Sequence, residues 1–530
     1  MKILVTDSLS KQGIEHLEKG GFAVVVKTKL SKEDLLKEIK DADGLIVRSG
    51  TKVTAEVIAA AERLKIVGRA GSGLDNVDTV AATRRGIVVM NTPGGNTVTT
   101  AEHTMAMIFA MIRRIPQATA STKAGKWEKE KFMGVELYNK TLGIVGMGQI
   151  GGYLTKLALG VGMQVVAYDP YLAEERAQKM GVTMVQLDEL FHRADIISVH
   201  TPLTPETKSL INTQAIAKMK PGVMIANCAR GGIVNESDLY QALKEKRIAA
   251  AAFDVFEQEP VKSDHPLLTL DNFICSPHIG ASTTEAQENV AVGIAEQIVD
   301  YFTKGIARGA VNIPSVPPEL LPRLQPYLSL AERAGMLQAQ LLEGGLERVT
   351  VEYSGEVAGL TIAPLTIAVL RGLLTSILED PVNYVNAPIV AKERGIEVKE
   401  VKSSDAGDFV SVIRVRVEAG KKSHQVAGTL YNRKDPRIVE IDRFKVEVVP
   451  EGHLLLILNV DRPGVIGTVG QVVGDHHINI ARMQCSREER GGNALLIFGL
   501  DAPVPGAVLD QIKSSKNILS VKVADLSKGF

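Results

Sequence analysis

The chain has 530 residues, enough for three or four domains at roughly 100–200 residues each. Hydrophobic residues make up 45% and charged residues 23%, which excludes a disordered chain. Lys plus Arg and Asp plus Glu both number 61, so a net charge of zero excludes a protein that holds nucleic acid mainly through its phosphates.

The first residues, Lys2-Ile3-Leu4-Val5-Thr6-Asp7, lack the charged-then-apolar pattern of a secretory leader. From there to about residue 300, short β-branched runs alternate with helical patterns. Strands are expected at Ile3–Thr6, Leu45–Arg48, Ile66–Val67, Val88–Asn91, Leu142–Val145, Val165–Tyr168, Ile196–Val199, Val223–Asn227 and Ala251–Asp254. Most are apolar without alternation, as parallel strands covered on both faces should be. Helices are expected between them, at Lys32–Lys40, Ala101–Arg114, Gly151–Leu159 and Ser237–Glu245. This alternation implies an α/β fold with two doubly wound parallel-sheet units.

Pro314, Pro317, Pro318, Pro322 and Pro326 then crowd one stretch, which reads as a domain border. Beyond it, Val349–Tyr353, Phe409–Val417 and Phe444–Val449 look like strands of a smaller α/β unit with no catalytic constellation of its own. Ala363–Leu378 is the most apolar long stretch; it carries Arg371 and is too short to span a bilayer. After Pro450 come a strand Leu454–Val460, a helix Val465–His476, strands Ile478–Ile480 and Leu495–Leu500, and a final helix and strand. That β-α-β-β-α-β order is the ferredoxin-like plan. Cys228, Cys275 and Cys485 are too widely spaced for a disulfide framework or a metal site and fit a reducing cytoplasm.

Gly146-Met147-Gly148-Gln149-Ile150-Gly151 matches G-x-G-x-x-G between an expected strand and an expected helix, the context a dinucleotide site requires. Its glycines permit a tight turn, close approach of pyrophosphate and close helix–strand packing, with helix amides meeting the phosphate charge. Asp169 ends the next strand, where a carboxylate can accept the ribose hydroxyls of NAD and repel the extra phosphate of NADP. A glycine-rich turn can also join strand to helix with no ligand. By contrast, Gly71-Ser72-Gly73 lacks the third glycine, so the first unit is assigned to substrate.

Taking a hydride from a 2-hydroxy acid needs a base for the hydroxyl proton and a cation for the carboxylate. Arg230 follows Val223–Asn227 beside two glycines, and a guanidinium can grip a carboxylate with two parallel hydrogen bonds. Glu259 and His278 each follow an expected strand or apolar stretch. As a pair, the carboxylate would orient the imidazole and raise its pKa towards working pH; singly, a His or Glu in such a place is usually structural.

These blocks, with Ser198-Val199-His200-Thr201-Pro202 and Asn227-Cys228-Ala229-Arg230-Gly231-Gly232, resemble the D-isomer-specific 2-hydroxyacid dehydrogenases. The runs Leu45–Ser49 and Val67–Asp78, the unit after the proline border and the turn Asn459–Val465 are similar to the long members of that family that act on 3-phosphoglycerate. The resemblance implies a Rossmann nucleotide domain (98–282) inserted in a flavodoxin-like substrate domain (1–97 and 283–312). An intervening domain (313–450) and a regulatory ACT domain (451–530) would follow. It implies NAD-dependent oxidation of 3-phosphoglycerate to 3-phosphohydroxypyruvate, the first step of serine synthesis, by a cytoplasmic homotetramer. Arg230 would bind the carboxylate, Glu259 support the imidazole, and His278 exchange the proton.

Because the substrate carries several negative charges, Arg48 and Arg69, at strand ends of the first unit, are candidates beside Arg230. Ser72, Gly146, Gly148, Gln149, Ile150, Gly151, Asp169, Thr201, Cys228, Ala229, Arg230, Asp254, His278, Ile279, Gly280 and Ala281 would line NAD. Asn459, Asp461 and Asn479 would hold L-serine across a dimer interface. The alternatives are a glyoxylate or hydroxypyruvate reductase of the same fold, and a non-enzymatic NAD(H)-sensing corepressor on the same scaffold.

Overall fold

The computed structural model describes residues 1–314, 316–378 and 381–527. Five short parallel strands, β1 (Lys2–Val5), β2 (Ala23–Val26), β3 (Gly44–Val47), β4 (Ile66–Arg69) and β5 (Val88–Asn91), pair in the order β2-β1-β3-β4-β5. Every residue of β3 and β5 is buried, because helices cover both faces; that is why these strands read as unbroken apolar runs.

A second parallel sheet of seven strands is built from β6 (Thr141–Val145), β7 (Gln164–Tyr168), β8 (Thr183–Met184), β9 (Ile196–Val199), β10 (Val223–Asn227), β11 (Ile248–Phe253) and β12 (Phe273–Cys275). Its order is β12-β11-β10-β9-β6-β7-β8, so the chain changes direction between β6 and β9 and leaves a crevice beyond their carboxyl ends. The helix Thr97–Ile112 leads from the first sheet to the second, where it packs on β10, β11 and the helix Gln149–Gly160. It begins one turn before the expected Ala101, because the β-branched run Thr97-Val98-Thr99 hides that turn from propensity. The helix Thr284–Lys304 returns to the first sheet, laying Ile294 and Ile298 over Gly68 of β4.

The third sheet holds β13 (Arg348–Gly355), β14 (Glu397–Ser403), β15 (Ser411–Ala419), β16 (Lys422–Tyr431), β17 (Asp435–Ile441) and β18 (Phe444–Val448), in the order β14-β13-β15-β16-β17-β18. Its periodicity revealed only half of these strands. The edge strand β14 is exposed almost throughout and has no burial to impose a pattern on Glu-Val-Lys-Glu-Val-Lys-Ser. The apolar stretch is the helix Ala363–Ile377, and its Arg371 is neutralised by buried Glu332, 2.6 Å away on the helix Leu321–Leu341.

The last sheet, β19 (His453–Val460), β20 (Ile480–Arg487), β21 (Asn493–Leu500) and β22 (Ile518–Asp525), is antiparallel in the order β20-β21-β19-β22. The strand expected at Ile478–Ile480 in fact begins at Ile480 and runs to Arg487 as a mostly exposed edge. Leu455, Ile457, Leu496 and Phe498 pack under the helices Val465–Asp475 and Gly506–Lys513. Their alternates Leu454, Leu456, Leu495 and Ile497 join the core of the preceding unit around Leu337. The two C-terminal units therefore share one core. Among the described residues no helix is long and apolar enough to cross a membrane.

Candidate active site

At the crevice between β6 and β9, the turn Gly146–Gly151 has the geometry the spacing requires. Gly146 adopts φ 98°, and a side chain there would strike the His200 carbonyl at 2.7 Å. A side chain on Gly151 would strike the Gly146 carbonyl at 2.2 Å, whereas in front of Gly148, the N-cap of the helix Gln149–Gly160, the space is open. That open cradle at a helix N-terminus fits a pyrophosphate. Asp169 accepts the Met147 amide at 2.8 Å and the Tyr171 amide at 2.8 Å. Its carboxylate is thus fixed at the edge of the turn, with lone pairs left for ribose hydroxyls. Across the crevice, Thr201 Oγ1 is buried without a hydrogen-bond partner, an orphan that a bound dinucleotide can satisfy. His200 beside it is pushed down to about 4 by burial and is neutral. Burial pushes the Cys228 thiol up to about 12, so it contributes shape and no nucleophile.

His278 and Glu259 meet at the carboxyl end of the same sheet. His278 Nδ1 lies 2.7 Å from Glu259 Oε2, and Glu259 Oε1 accepts the Phe256 amide at 3.1 Å. The hydrogen bond to Glu259 raises the pKa of His278 against the opposing effect of burial. Burial works to raise Glu259 as well, but its hydrogen bonds from His278 and the Phe256 amide win and hold it below the usual carboxylate range. With Nδ1 so engaged, Nε2 is left for a substrate.

His278 sits at φ 54°, an uncommon conformation for a side-chain-bearing residue, and something must hold it there. Its amide donates to the Asp254 carbonyl at 2.9 Å. Asp254, 1% exposed at the end of β11, accepts the Ser276 hydroxyl at 2.6 Å, the Ile279 amide at 2.9 Å and the Gly280 amide at 2.7 Å. His103 Nε2, from the helix Thr97–Ile112, reaches the same cluster 3.1 Å from Ser276 Oγ and 3.3 Å from Asp254 Oδ1. Expected on the cofactor's side, Asp254 thus turns both oxygens to the loop Ser276–Gly280. Neither His103 nor Ser276 carries a sequence signal: each is an isolated residue whose partners lie more than 150 positions away or on another strand end.

The cations face this pair from both sheets. Asn227, fully buried, folds the turn after β10 by accepting the Ala229 amide and donating to the Arg230 carbonyl. Gly231 lets that turn press on the neighbouring one, since a side chain would lie 1.9 Å from the Phe256 carbonyl. Arg230 is thereby brought beside the loop that carries Glu259. Arg69, at the end of β4, is drawn down to about 10 by burial and then by repulsion from Arg230, which leaves it charged at neutral pH. Its Nε is buried with no partner. Arg48, at the end of β3, adds to the same repulsion. Arg48, Arg69 and Arg230 thus converge, while Ser72 donates to Asn96 Oδ1 at 2.7 Å at the base of the helix Thr97–Ile112.

The candidate regulatory residues do not converge within one chain. Ile480 pairs with Leu500, which pairs with His453, so Asn479 stands at the opposite end of the sheet from Asn459 and Asp461. Asp461 accepts Arg487 and the Gly491 amide, each at 3.2 Å, and Asn479 donates to Asp501. Asn459 is buried, and its side-chain oxygen has no partner.

Three family models match the chain: the D-isomer specific 2-hydroxyacid dehydrogenase NAD binding domain over residues 105–280, the D-3-phosphoglycerate dehydrogenase intervening domain over 323–442, and the ACT domain over 453–517. The sequence is 48% identical over 527 residues to D-3-phosphoglycerate dehydrogenase of Methanocaldococcus jannaschii, covering 99% of this chain and 100% of that one. It is 42% identical over 530 residues to D-3-phosphoglycerate dehydrogenase of Bacillus subtilis, covering 99% of each. Among solved structures, NAD⁺-bound 3-phosphoglycerate dehydrogenase of Entamoeba histolytica matches with a TM-score of 0.51 at 36% identity, over 60% of this chain and 99% of that one.

Proposed function

The chain belongs to the D-3-phosphoglycerate dehydrogenases, and from that premise we propose how its residues oxidise 3-phospho-D-glycerate to 3-phosphohydroxypyruvate. NAD, when bound along the Gly146–Gly151 turn, supplies the two-electron acceptor for the hydride on C2. Arg230 grips the substrate carboxylate, and Arg69 and Arg48 hold the remaining negative charge of carboxylate and phosphate. His278 Nε2 takes the C2 hydroxyl proton as the carbonyl forms. Glu259 accepts a hydrogen bond from Nδ1–H, which fixes the tautomer and stabilises the imidazolium once Nε2 is protonated. Asp254 holds the loop so that the imidazole points into the cleft. The observation that carries this reading is the His278–Glu259 contact at 2.7 Å in a cleft that Arg48, Arg69 and Arg230 face, with Arg69 Nε buried and unpartnered. The test is NADH formation from 3-phosphoglycerate and NAD by the full-length protein, and its absence would refute the reading.

The raised pKa of His278 has a definite sign in the kinetics. Oxidation needs the neutral imidazole, so its rate rises with pH through the raised value, and reduction of the oxo acid falls over the same range. Glu259→Gln removes the cause of the rise. The acid limb of kcat/KM for oxidation should move to lower pH while the plateau falls, and an unmoved limb would mean that a different group sets it.

Cofactor choice should rest on Asp169. Asp169→Ala should erode the preference for NAD over NADP by about tenfold or more, about 1.4 kcal/mol per decade. Equal rates with both cofactors in the unsubstituted protein would refute this role.

For regulation, Asn459 and Asp461 stand at the end of β19, where the Asp461 carboxylate can meet the ammonium of L-serine, with Asn479 supplied by a second copy because one chain cannot bring them together. L-serine should therefore slow the full-length protein by favouring a less active arrangement. Asn459→Ala should lose that inhibition while keeping its uninhibited rate; inhibition that survives the change, or that competes with substrate, places the site elsewhere. A point change is the right probe, because removing the tail would strip Leu454, Leu456, Leu495 and Ile497 from a shared core. Trp127, Met133 and Tyr138, among the most exposed large apolar side chains, follow one another in the stretch after the helix Ile115–Lys123, to which we assign a dimer contact of a cytoplasmic homotetramer.

A further inference from the structure

Arg230 does not wait empty for its substrate. Its Nε donates to Asp75 Oδ2 at 3.0 Å, and its Nη1 donates to the Ala229 carbonyl at 2.7 Å. Nη2 lies against Gly73, so close that a side chain there would stand 2.1 Å from it. The edge formed by Nε and Nη2 is the one a carboxylate would take with two parallel bonds. Asp75 already occupies half of it.

Several features separate this contact from an ordinary structural ion pair. Asp75 comes from the loop after β4 and Arg230 from the turn after β10, so the pair crosses the cleft between the two parallel sheets. The Asp75 side chain is 69% exposed, and its carboxylate makes no other hydrogen bond among the described residues. A brace would be anchored at both ends; Asp7 shows the contrast, since its carboxylate is fixed by the Arg48 and Thr51 amides and the Thr51 hydroxyl. An exposed pair held by one contact contributes about 0–1 kcal/mol, little enough for an incoming anion to displace. Asp75 also acts at a distance on Arg69, so it faces the same cluster of positive charge that a substrate carboxylate and phosphate would enter.

We propose that Asp75 is a displaceable internal counter-ion. It pairs with the guanidinium of Arg230 while the cleft is empty, and the carboxylate of the 2-hydroxy acid replaces it on the Nε–Nη2 edge. This rests on the reading of Arg230 as the carboxylate clamp. No bond is made or broken; one carboxylate exchanges for another, and the loop after β4 is released from the turn after β10. Asp75 therefore sets substrate affinity by competing for Arg230, and a ligand without an anionic group cannot displace it.

The test is initial-rate kinetics of the full-length protein with 3-phosphoglycerate at saturating NAD, comparing Asp75→Asn and Asp75→Ala with the parent. Both variants should lower KM by about twofold to fivefold, with a smaller gain at high ionic strength because surface charge is screened. A KM that stays the same or rises in both variants overturns the proposal, since a residue that merely positions Arg230 would weaken binding when removed. Arg230→Lys separates the two readings. If it leaves KM unchanged, the clamp itself is wrong. If it raises KM while neither Asp75 variant lowers it, only the counter-ion role fails.

Discussion

Replacing His278 by alanine is expected to lower turnover by about 10²–10⁴ while NADH affinity stays nearly intact. The size follows from what is lost: Nε2 is the ring nitrogen left for the hydroxyl proton, and Glu259 has no side chain left to polarise. No neighbour can substitute. His103 is turned to Ser276 and Asp254, and His200 is neutral with its Nε2 against the Ser198 hydroxyl. NADH affinity should hold because the turn at Gly146–Gly151 and Asp169 make no contact that passes through the imidazole. Binding by fluorescence and turnover by absorbance check the two halves separately. Near-normal turnover in His278→Ala would mean that another group takes the proton.

Replacing Arg230 by alanine should cost about 10²–10³ in kcat/KM, about 3–4 kcal/mol, and spread that loss over both KM and kcat. The carboxylate loses a two-pronged donor, and C2 loses its alignment with His278 Nε2 because the same grip sets the angle of approach. Lysine at this position should recover only part, since a point charge lacks the planar fork. A loss confined to KM would show that Arg230 binds but does not align; a loss confined to kcat would place the carboxylate elsewhere.

The parts of the site that could be read from sequence are those whose chemistry is local. Gly146, Gly148 and Gly151 are dictated by a turn that admits no side chain at the first and last position and needs open space at the middle one. The inner parallel strands were legible because burial on both faces leaves no alternation to interpret, whereas the outer β2, β8 and β12 were missed. Edge strands were not: β14 and β20 are mostly exposed, so nothing selects an apolar pattern along them. What sequence cannot show is how loops meet. Asp254 stood at a strand end where a cofactor contact was expected, but its oxygens close a loop carried by the next strand. Asp75 belonged to a run recognised only as a block, and its partner Arg230 is 155 residues away. Asn459 and Asn479 were expected to meet across a dimer interface, and the register of β19, β20 and β21, which puts them at opposite ends of one sheet, leaves that meeting to a second copy.

The central claim is that the converging arginines and the His278–Glu259 pair serve a phosphorylated 2-hydroxy acid. The direct measurement is NADH absorbance with the full-length protein and NAD, comparing 3-phosphoglycerate with glycerate, and hydroxypyruvate or glyoxylate with NADH in the reverse direction. The expected result is NADH formation from 3-phosphoglycerate at a kcat/KM at least about 10²-fold above glycerate, since the phosphate's contacts to arginine are worth about 3 kcal/mol or more. Equal or better rates with the unphosphorylated acids would assign the cleft to a glyoxylate or hydroxypyruvate reductase. No NADH change with any of them, in protein that binds NADH, would contradict catalysis itself.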